Sequence, residues 1–144
     1  MNKNSNIGFV GLGNMGKPIF DNLNKEFSNV FCFDKDTSKL KINKFSSSLN
    51  EIFEKCKIII FCIESNEQII DIIKENEIKK NTIIIDLTSS LPELTKQISS
   101  YLKIFESHYI DAGMSGGALG ASNGTLTLML GGSKTICKKI DFIL

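Results

Sequence analysis

The chain has 144 residues, with 17 basic side chains against 16 acidic ones and a net charge of +1. That length suits one domain of ordinary size, and 42% apolar with 23% charged residues excludes a disordered, collagenous or coiled-coil chain. The even charge leaves no electrostatic footprint for nucleic acid or an anionic membrane.

Strands and helices are expected to alternate along the chain. A strand over 7–10 runs into a glycine turn. A helix over 15–26 follows, with Ile19, Leu23 and Phe27 spaced for one face. A second strand over 30–33 ends at Asp34, and Thr37 or Ser38 is placed to cap a short helix through Ile42. A helix over 49–56 precedes the nearly pure apolar run 58–63, which reads as a strand buried on both faces. A helix over 68–76, a buried strand over 82–87 and a helix from Pro92 to about Leu102 come next. A strand over 105–111 leads into a glycine-rich loop over 113–124. A last strand over 126–130 precedes a terminal helix opening at Ser133. This alternation predicts an α/β fold of Rossmann type: a doubly wound, mostly parallel sheet with helices on both faces. We expect a dinucleotide-binding domain over 1–133 and the start of a following helix over 134–144.

Composition and residue spacing set several chemistries aside. All the basic residues are lysine, so no guanidinium fork is available for a carboxylate or phosphate. Cys32, Cys56, Cys62 and Cys137 show no C-x-x-C spacing, and buried reduced thiols are expected rather than zinc or dithiol chemistry. His108, the one histidine, reads as a strand residue without metal or catalytic partners, and Glu75 and Glu77 read as solvated charge. Gly8, Gly11 and Gly13 interrupt the first apolar run, so no signal peptide is expected, and no apolar stretch is long enough to span a membrane. The expected compartment is the cytoplasm.

Two glycine clusters carry the chemistry. Gly11-Leu12-Gly13-Asn14-Met15-Gly16 is a G-x-G-x-x-G turn between the first strand and the first helix. Gly11 permits the tight turn, Gly13 lets backbone approach a pyrophosphate, and Gly16 lets the helix pack closely on the strand. The helix N-terminus then offers free N–H groups to the phosphates. Asp34 stands where an acid accepts hydrogen bonds from the adenosine ribose. Its carboxylate repels a 2′-phosphate, which favours NAD, while Lys35 and Lys39 keep NADP open. The second cluster runs from Asp111 to Gly120 and on to Gly132. In it the Ser115 hydroxyl and the N–H groups of Gly116 and Gly117 are suited to an anion. A flexible structural loop is the alternative reading of that segment.

Together these stretches resemble the β-hydroxyacid dehydrogenase family, which includes 3-hydroxyisobutyrate dehydrogenase and relatives of 6-phosphogluconate dehydrogenase. The run from Ile7 to Gly16 is similar to that family's N-terminal signature, and the run from Asp111 to Gly117 is similar to its substrate loop. The resemblance implies hydride transfer between a nicotinamide dinucleotide and the hydroxyl of a small 3-hydroxy acid. It implies cofactor contacts from Gly11, Leu12, Gly13, Asn14, Met15, Gly16 and Asp34. It adds Ile63 and Glu64 on the adenine side, Thr88 near the nicotinamide, and Ser115, Gly116 and Gly117 at the substrate acid. Gly113 and Met114 replace the usual Pro-Val, which leaves the substrate open.

The resemblance also implies a catalytic lysine in a G-x-G-x-x-x-K-x-x-N setting and an all-helical C-terminal domain, both expected beyond Leu144. Lys134, Lys138 and Lys139 lack that setting and read as solvated helix lysines. The chain is therefore expected to bind a dinucleotide without turnover. A stand-alone binding module and a decayed or split-gene product are the competing readings. Self-association is expected from Phe142, Ile143 and Leu144 at the chain end.

Overall fold

In the computed structural model, which describes residues 4–40 and 47–144, six strands form one sheet in the order β2-β1-β3-β4-β5-β6. The strands are β1 Ile7–Val10, β2 Val30–Phe33, β3 Ile58–Phe61, β4 Ile83–Asp86, β5 His108–Ser115 and β6 Thr127–Gly131. The first five are parallel and β6 runs antiparallel to β5. The helices are α1 Gly16–Glu26, α2 Leu49–Lys55, α3 Asn66–Glu75, α4 Pro92–Lys103, α5 Gly117–Asn123 and α6 Lys134–Ile140.

The apolar runs explain the layering. Successive side chains of a strand point to opposite faces. Ile58 and Ile60 enter one core, with Phe20 and Leu23 of α1 and Ile136 and Ile140 of α6. Ile59 and Phe61 enter the other, with Ile52 and Phe53 of α2, Ile69 and Ile73 of α3, and Ile98 and Leu102 of α4. An all-apolar strand is thus buried on both sides, as its composition predicts. Each such isoleucine contributes about 1.5–3 kcal/mol relative to exposure. The result is the expected doubly wound Rossmann-type sheet.

Most predicted elements stand within two or three residues of their expected ends. The capped helix expected from Thr37 or Ser38 is a 3-10 turn over Thr37–Leu40, and its proposed end at Ile42 lies outside the described residues. The run 58–63 stops being strand at Phe61, because Cys62, Ile63 and Glu64 turn out over the sheet edge. Helix α3 begins at Asn66 rather than 68.

The expected loop over 113–124 is the one substantial correction. Strand β5 continues to Ser115, and helix α5 occupies Gly117–Asn123. The glycines are turn-formers only at the ends of that helix. Gly116 and Gly117 have φ of 125° and 59° at its start, and Gly124 has φ of 67° at its C-cap. Between them the short side chains leave a helical stretch, held to α1 by Asn22 Nδ2, which donates to the Ala121 carbonyl at 2.8 Å. Residues 112–115 gain their strand partner from β6, with Met114 opposite Leu128 and Ser115 opposite Thr127. A glycine count alone does not reveal that pairing.

Phe142 and Ile143 also depart from the expectation of exposed terminal apolar residues. Both are partly buried against the first core, and Phe142 meets Phe27 edge-on at 6.1 Å. The large exposed apolar side chains include Leu119 and Met129, on α5 and β6.

Candidate dinucleotide site

The chain leaves β1 for β2 on one side and returns to β3 on the other. Open α/β sheets hold ligands outside the carboxyl ends of the strands at such a reversal. Here a cleft of about 360 Å³ opens at the ends of β1, β2, β3 and β4. Backbone bonds bind these ends to one another. Gly11 N–H donates to Phe33 O at 2.9 Å, Cys62 N–H to Val10 O at 2.9 Å, and Leu87 N–H to Phe61 O at 2.8 Å.

The glycine turn floors the cleft. Gly11 has φ of 102°, and a Cβ there would lie 2.2 Å from Cys62 O. A Cβ on Gly16 would lie 2.0 Å from Gly11 O. These two glycines are required by the protein's own packing. Gly13 differs: a Cβ there meets nothing within 4 Å, and the residue lines the cleft. Its missing side chain keeps space open for an approaching group. Helix α1 begins three residues later; in its first turn Lys17 N–H already donates to Gly13 O at 3.0 Å and Pro18 has no N–H, so the positive end of the helix dipole rather than a full set of free N–H groups favours an anion there. Open space above a glycine backbone, next to a helix N-terminus, fits a pyrophosphate.

Asp34 is buried, at 6% exposure, at the end of β2. Its Oδ2 accepts the Leu12 N–H at 2.6 Å and its Oδ1 accepts the Asp36 N–H at 2.8 Å. Lys39 Nζ stands 3.4 Å from Oδ2. Lys39 Nζ also reaches Oδ1 at 3.5 Å, so a ribose hydroxyl at Asp34 would replace these long lysine contacts rather than fill an unused acceptor direction. Asp34 lines the cleft; the Leu12 side chain instead belongs to the core, and its N–H is spent on Asp34.

Asn14, Met15, Ile63, Glu64 and Thr88 also line the cleft. Two of them are tied together: Ile63 N–H donates to Thr88 Oγ1 at 3.3 Å. Glu64 accepts from Lys35 Nζ at 3.2 Å and from Gln68 Nε2 at 3.3 Å. These two hydrogen bonds, with the Lys35 charge, hold its carboxyl below the usual range. Cys62 lines the cleft as well. Burial, with a smaller contribution from Asp86, pushes its thiol up to about 11, so it stays protonated and unreactive at neutral pH.

Ser115, Gly116 and Gly117 do not line this cleft; they are exposed at the far end of β5, and Met114 is the nearest residue of that segment to line it. Strand β4 ends at Asp86, opposite Asp111, and β5 continues four residues further. At about 3.3 Å per residue, that extension lifts Ser115 roughly 13 Å above the edge of the parallel sheet.

Sequence reasoning missed a buried polar cluster beneath Thr88. Asp86 is fully buried. Its Oδ1 accepts the Thr88 N–H at 2.7 Å, and its Oδ2 accepts Asn66 Nδ2 at 2.6 Å and also the Tyr109 hydroxyl. Asn66 Nδ2 also lies 2.9 Å from Ser90 Oγ. The signal was an acid closing the run Ile83-Ile84-Ile85. A buried carboxylate requires donors, and here they fix the turn that carries Thr88. Burial first, then the neighbouring Asp86 charge, raises the carboxyl of Asp111 and pushes the Tyr109 hydroxyl far up. Gln68 and Ile72 were missed too; Gln68 follows Glu64 by one helical turn.

Residues 6–144 match the family described as the NAD binding domain of 6-phosphogluconate dehydrogenase. The chain belongs to that family. Among curated relatives it is 32% identical to 2-(hydroxymethyl)glutarate dehydrogenase of Eubacterium barkeri, over 100% of this chain and 51% of that protein. It is 31% identical to the mitochondrial 3-hydroxyisobutyrate dehydrogenase of Drosophila melanogaster, over 96% of this chain and 45% of that protein. The fold of Mycobacterium tuberculosis 3-hydroxyisobutyrate dehydrogenase, solved with L-serine, superposes with a TM-score of 0.91 at 23% identity. That alignment covers 98% of this chain and 51% of the solved chain. The chain thus spans about half the length of the relatives it matches.

Of the described residues, none form a group of three suited to a metal ion. Nor, among those residues, is any helix long and apolar enough to cross a membrane.

Proposed function

We propose that this chain is the cofactor-binding half of an oxidoreductase that acts on the hydroxyl of a small 3-hydroxy acid, and that it prefers NAD to NADP. The observation that carries the reading is the convergence at one cleft of the Gly13 backbone, the Asp34 carboxylate, Glu64 and Thr88, from four separate turns. The pyrophosphate lies on the glycine turn and the start of α1. The adenosine ribose meets Asp34, the adenine lies by Ile63 and Glu64, and the nicotinamide lies toward Thr88. The bound cofactor supplies the hydride chemistry; the protein supplies orientation and charge. Ser115, Gly116 and Gly117 serve the substrate acid from the extended end of β5. The binding domain spans 1–133, and the helix from 134 packs back on it through Ile136 and Ile140.

We further propose that this chain binds its cofactor without efficient turnover. The lysines that line the cleft, Lys35 and Lys39, stand with Glu64 and Asp34 at the ribose end, and the α6 lysines do not line it. Titration of the purified chain with NADH, followed by fluorescence, tests the reading. Saturable binding is expected, with negligible NADH formation when NAD and short 3-hydroxy acids are added. Absence of binding overturns the cofactor assignment, and turnover at about 1–1,000 per second, the usual enzyme range, overturns the second proposal. Self-association, expected from the chain end, is supported by Leu144, which stays 41% exposed, and by the exposed Leu119 and Met129; sedimentation checks it, and a clean monomer at high concentration would exclude it.

A further inference from the structure

Lys35 and Glu64 reach toward each other from the turns after β2 and β3. Their Nζ and Oε2 atoms lie 3.2 Å apart, and both side chains are about three-quarters exposed, at 73% and 74%. Gln68 Nε2 binds the same Oε2 at 3.3 Å, anchoring the carboxylate to α3. Close by, Lys39 Nζ stands 3.4 Å from Asp34 Oδ2. One wall of the cleft therefore holds two ammonium groups, each opposed by one carboxylate.

We propose that Glu64 sets the choice between the two nicotinamide dinucleotides by acting on Lys35: it holds and neutralises an ammonium group that would otherwise receive the 2′-phosphate. This rests on the dinucleotide reading above. A ribose read by Asp34 presents its 2′ position to the turn that carries Lys35. A phosphate there carries about −1.5 to −2 charges at neutral pH. With Glu64 in place, the phosphate meets two carboxylates and two engaged lysines, so the group gives no net attraction. Without the Glu64 charge, Lys35 is released. Lysine is a compact charge on a flexible stem, so a released Lys35 can turn to the phosphate without movement of the backbone. The Lys35–Glu64 pair is well exposed, and such pairs add little to folding. Glu64 is a positioning residue in this scheme, and Lys35 is the group that makes contact.

The test measures Kd for NADH and NADPH in the wild-type chain, Glu64→Gln, Lys35→Met and the double variant, by fluorescence titration. Glu64→Gln is expected to improve NADPH binding relative to NADH by roughly three- to tenfold, with the gain shrinking at high salt. The gain is expected to vanish in the double variant, an outcome that a purely structural role of Glu64 would not produce. If NADH binds but the ratio moves less than about twofold, or moves equally in the double variant, this proposal fails and the dinucleotide reading stands. If the wild-type chain binds neither dinucleotide, both fail.

Discussion

Asp34 Oδ2 accepts the Leu12 N–H at 2.6 Å, so the acid at the end of β2 also closes the glycine turn at the end of β1. One side chain thereby sets the shape of the glycine turn and, in the proposed function, exchanges its long Lys39 contacts for a ribose. Two consequences of removing it are separable. Asp34→Ala leaves a buried N–H without its acceptor, at a cost of about 1–3 kcal/mol in urea unfolding without ligand. It should also weaken NADH binding and narrow the gap to NADPH in titrations. Unchanged affinity for both dinucleotides would remove Asp34 from the site even if stability fell.

The glycines of the turn should separate folding from binding. A Cβ at Gly13 meets nothing within 4 Å, whereas one at Gly11 lies 2.2 Å from Cys62 O at a φ of 102°. Gly13→Ala should keep its unfolding free energy to within about 0.5 kcal/mol yet lose roughly tenfold or more in NADH affinity. Gly11→Ala should cost at least about 2 kcal/mol through strain and overlap. Circular dichroism melts beside fluorescence titrations decide it; a Gly13→Ala protein that binds NADH normally contradicts the phosphate assignment.

Asp86 should be among the most sensitive polar positions. Asp86→Ala strips acceptors from Thr88 N–H, Asn66 and the Tyr109 hydroxyl together, and a cost of about 3–5 kcal/mol is expected. Tyr109→Phe removes one of those donors and should cost about 1 kcal/mol. Urea denaturation of both variants provides the comparison, and similar costs would show that the cluster does not act as a unit.

Alkaline pH should destabilise the chain. Burial pushes the thiols of Cys32 and Cys62 to about 11 and that of Cys56 to about 12. An unfolded thiol titrates near 8.5. Below that pH both states keep their protons, and the contribution is fully present. Above it the unfolded chain sheds protons that the folded chain retains. Stability then falls as pH rises, until the folded thiols ionise near 11–12. The urea midpoint is expected to drop between pH 8.5 and 11, less steeply in Cys56→Ala than in the wild type; equal slopes would place Cys56 outside this effect.

The elements that were legible in the sequence are those whose signal is local. Ile58 to Phe61 and Ile83 to Ile85 announce buried strands because a parallel sheet covered on both faces demands apolar side chains at every position. The turn at Gly11 and the close helix packing at Gly16 were legible because each imposes glycine at set spacing, and Gly13 and Asp34 line the same cleft. The segment 113–124 was misread because a glycine count describes backbone freedom, while β6 decides whether that freedom is used. The Asp86 cluster was missed because Asn66 and Tyr109 lie 20 and 23 residues away from it.

The sequence by itself thus determined the layered α/β fold, the glycine turn after β1 and the acid at the end of β2, since each depends on short-range pattern and residue chemistry. Only the tertiary structure decided which polar groups share a partner. Asp34 with Leu12 and Lys35 with Glu64 join turns that follow different strands, and Asp86 with Tyr109 joins strand β4 to strand β5. Such pairings arise where the sheet sets its strands side by side, and chain spacing carries no record of them.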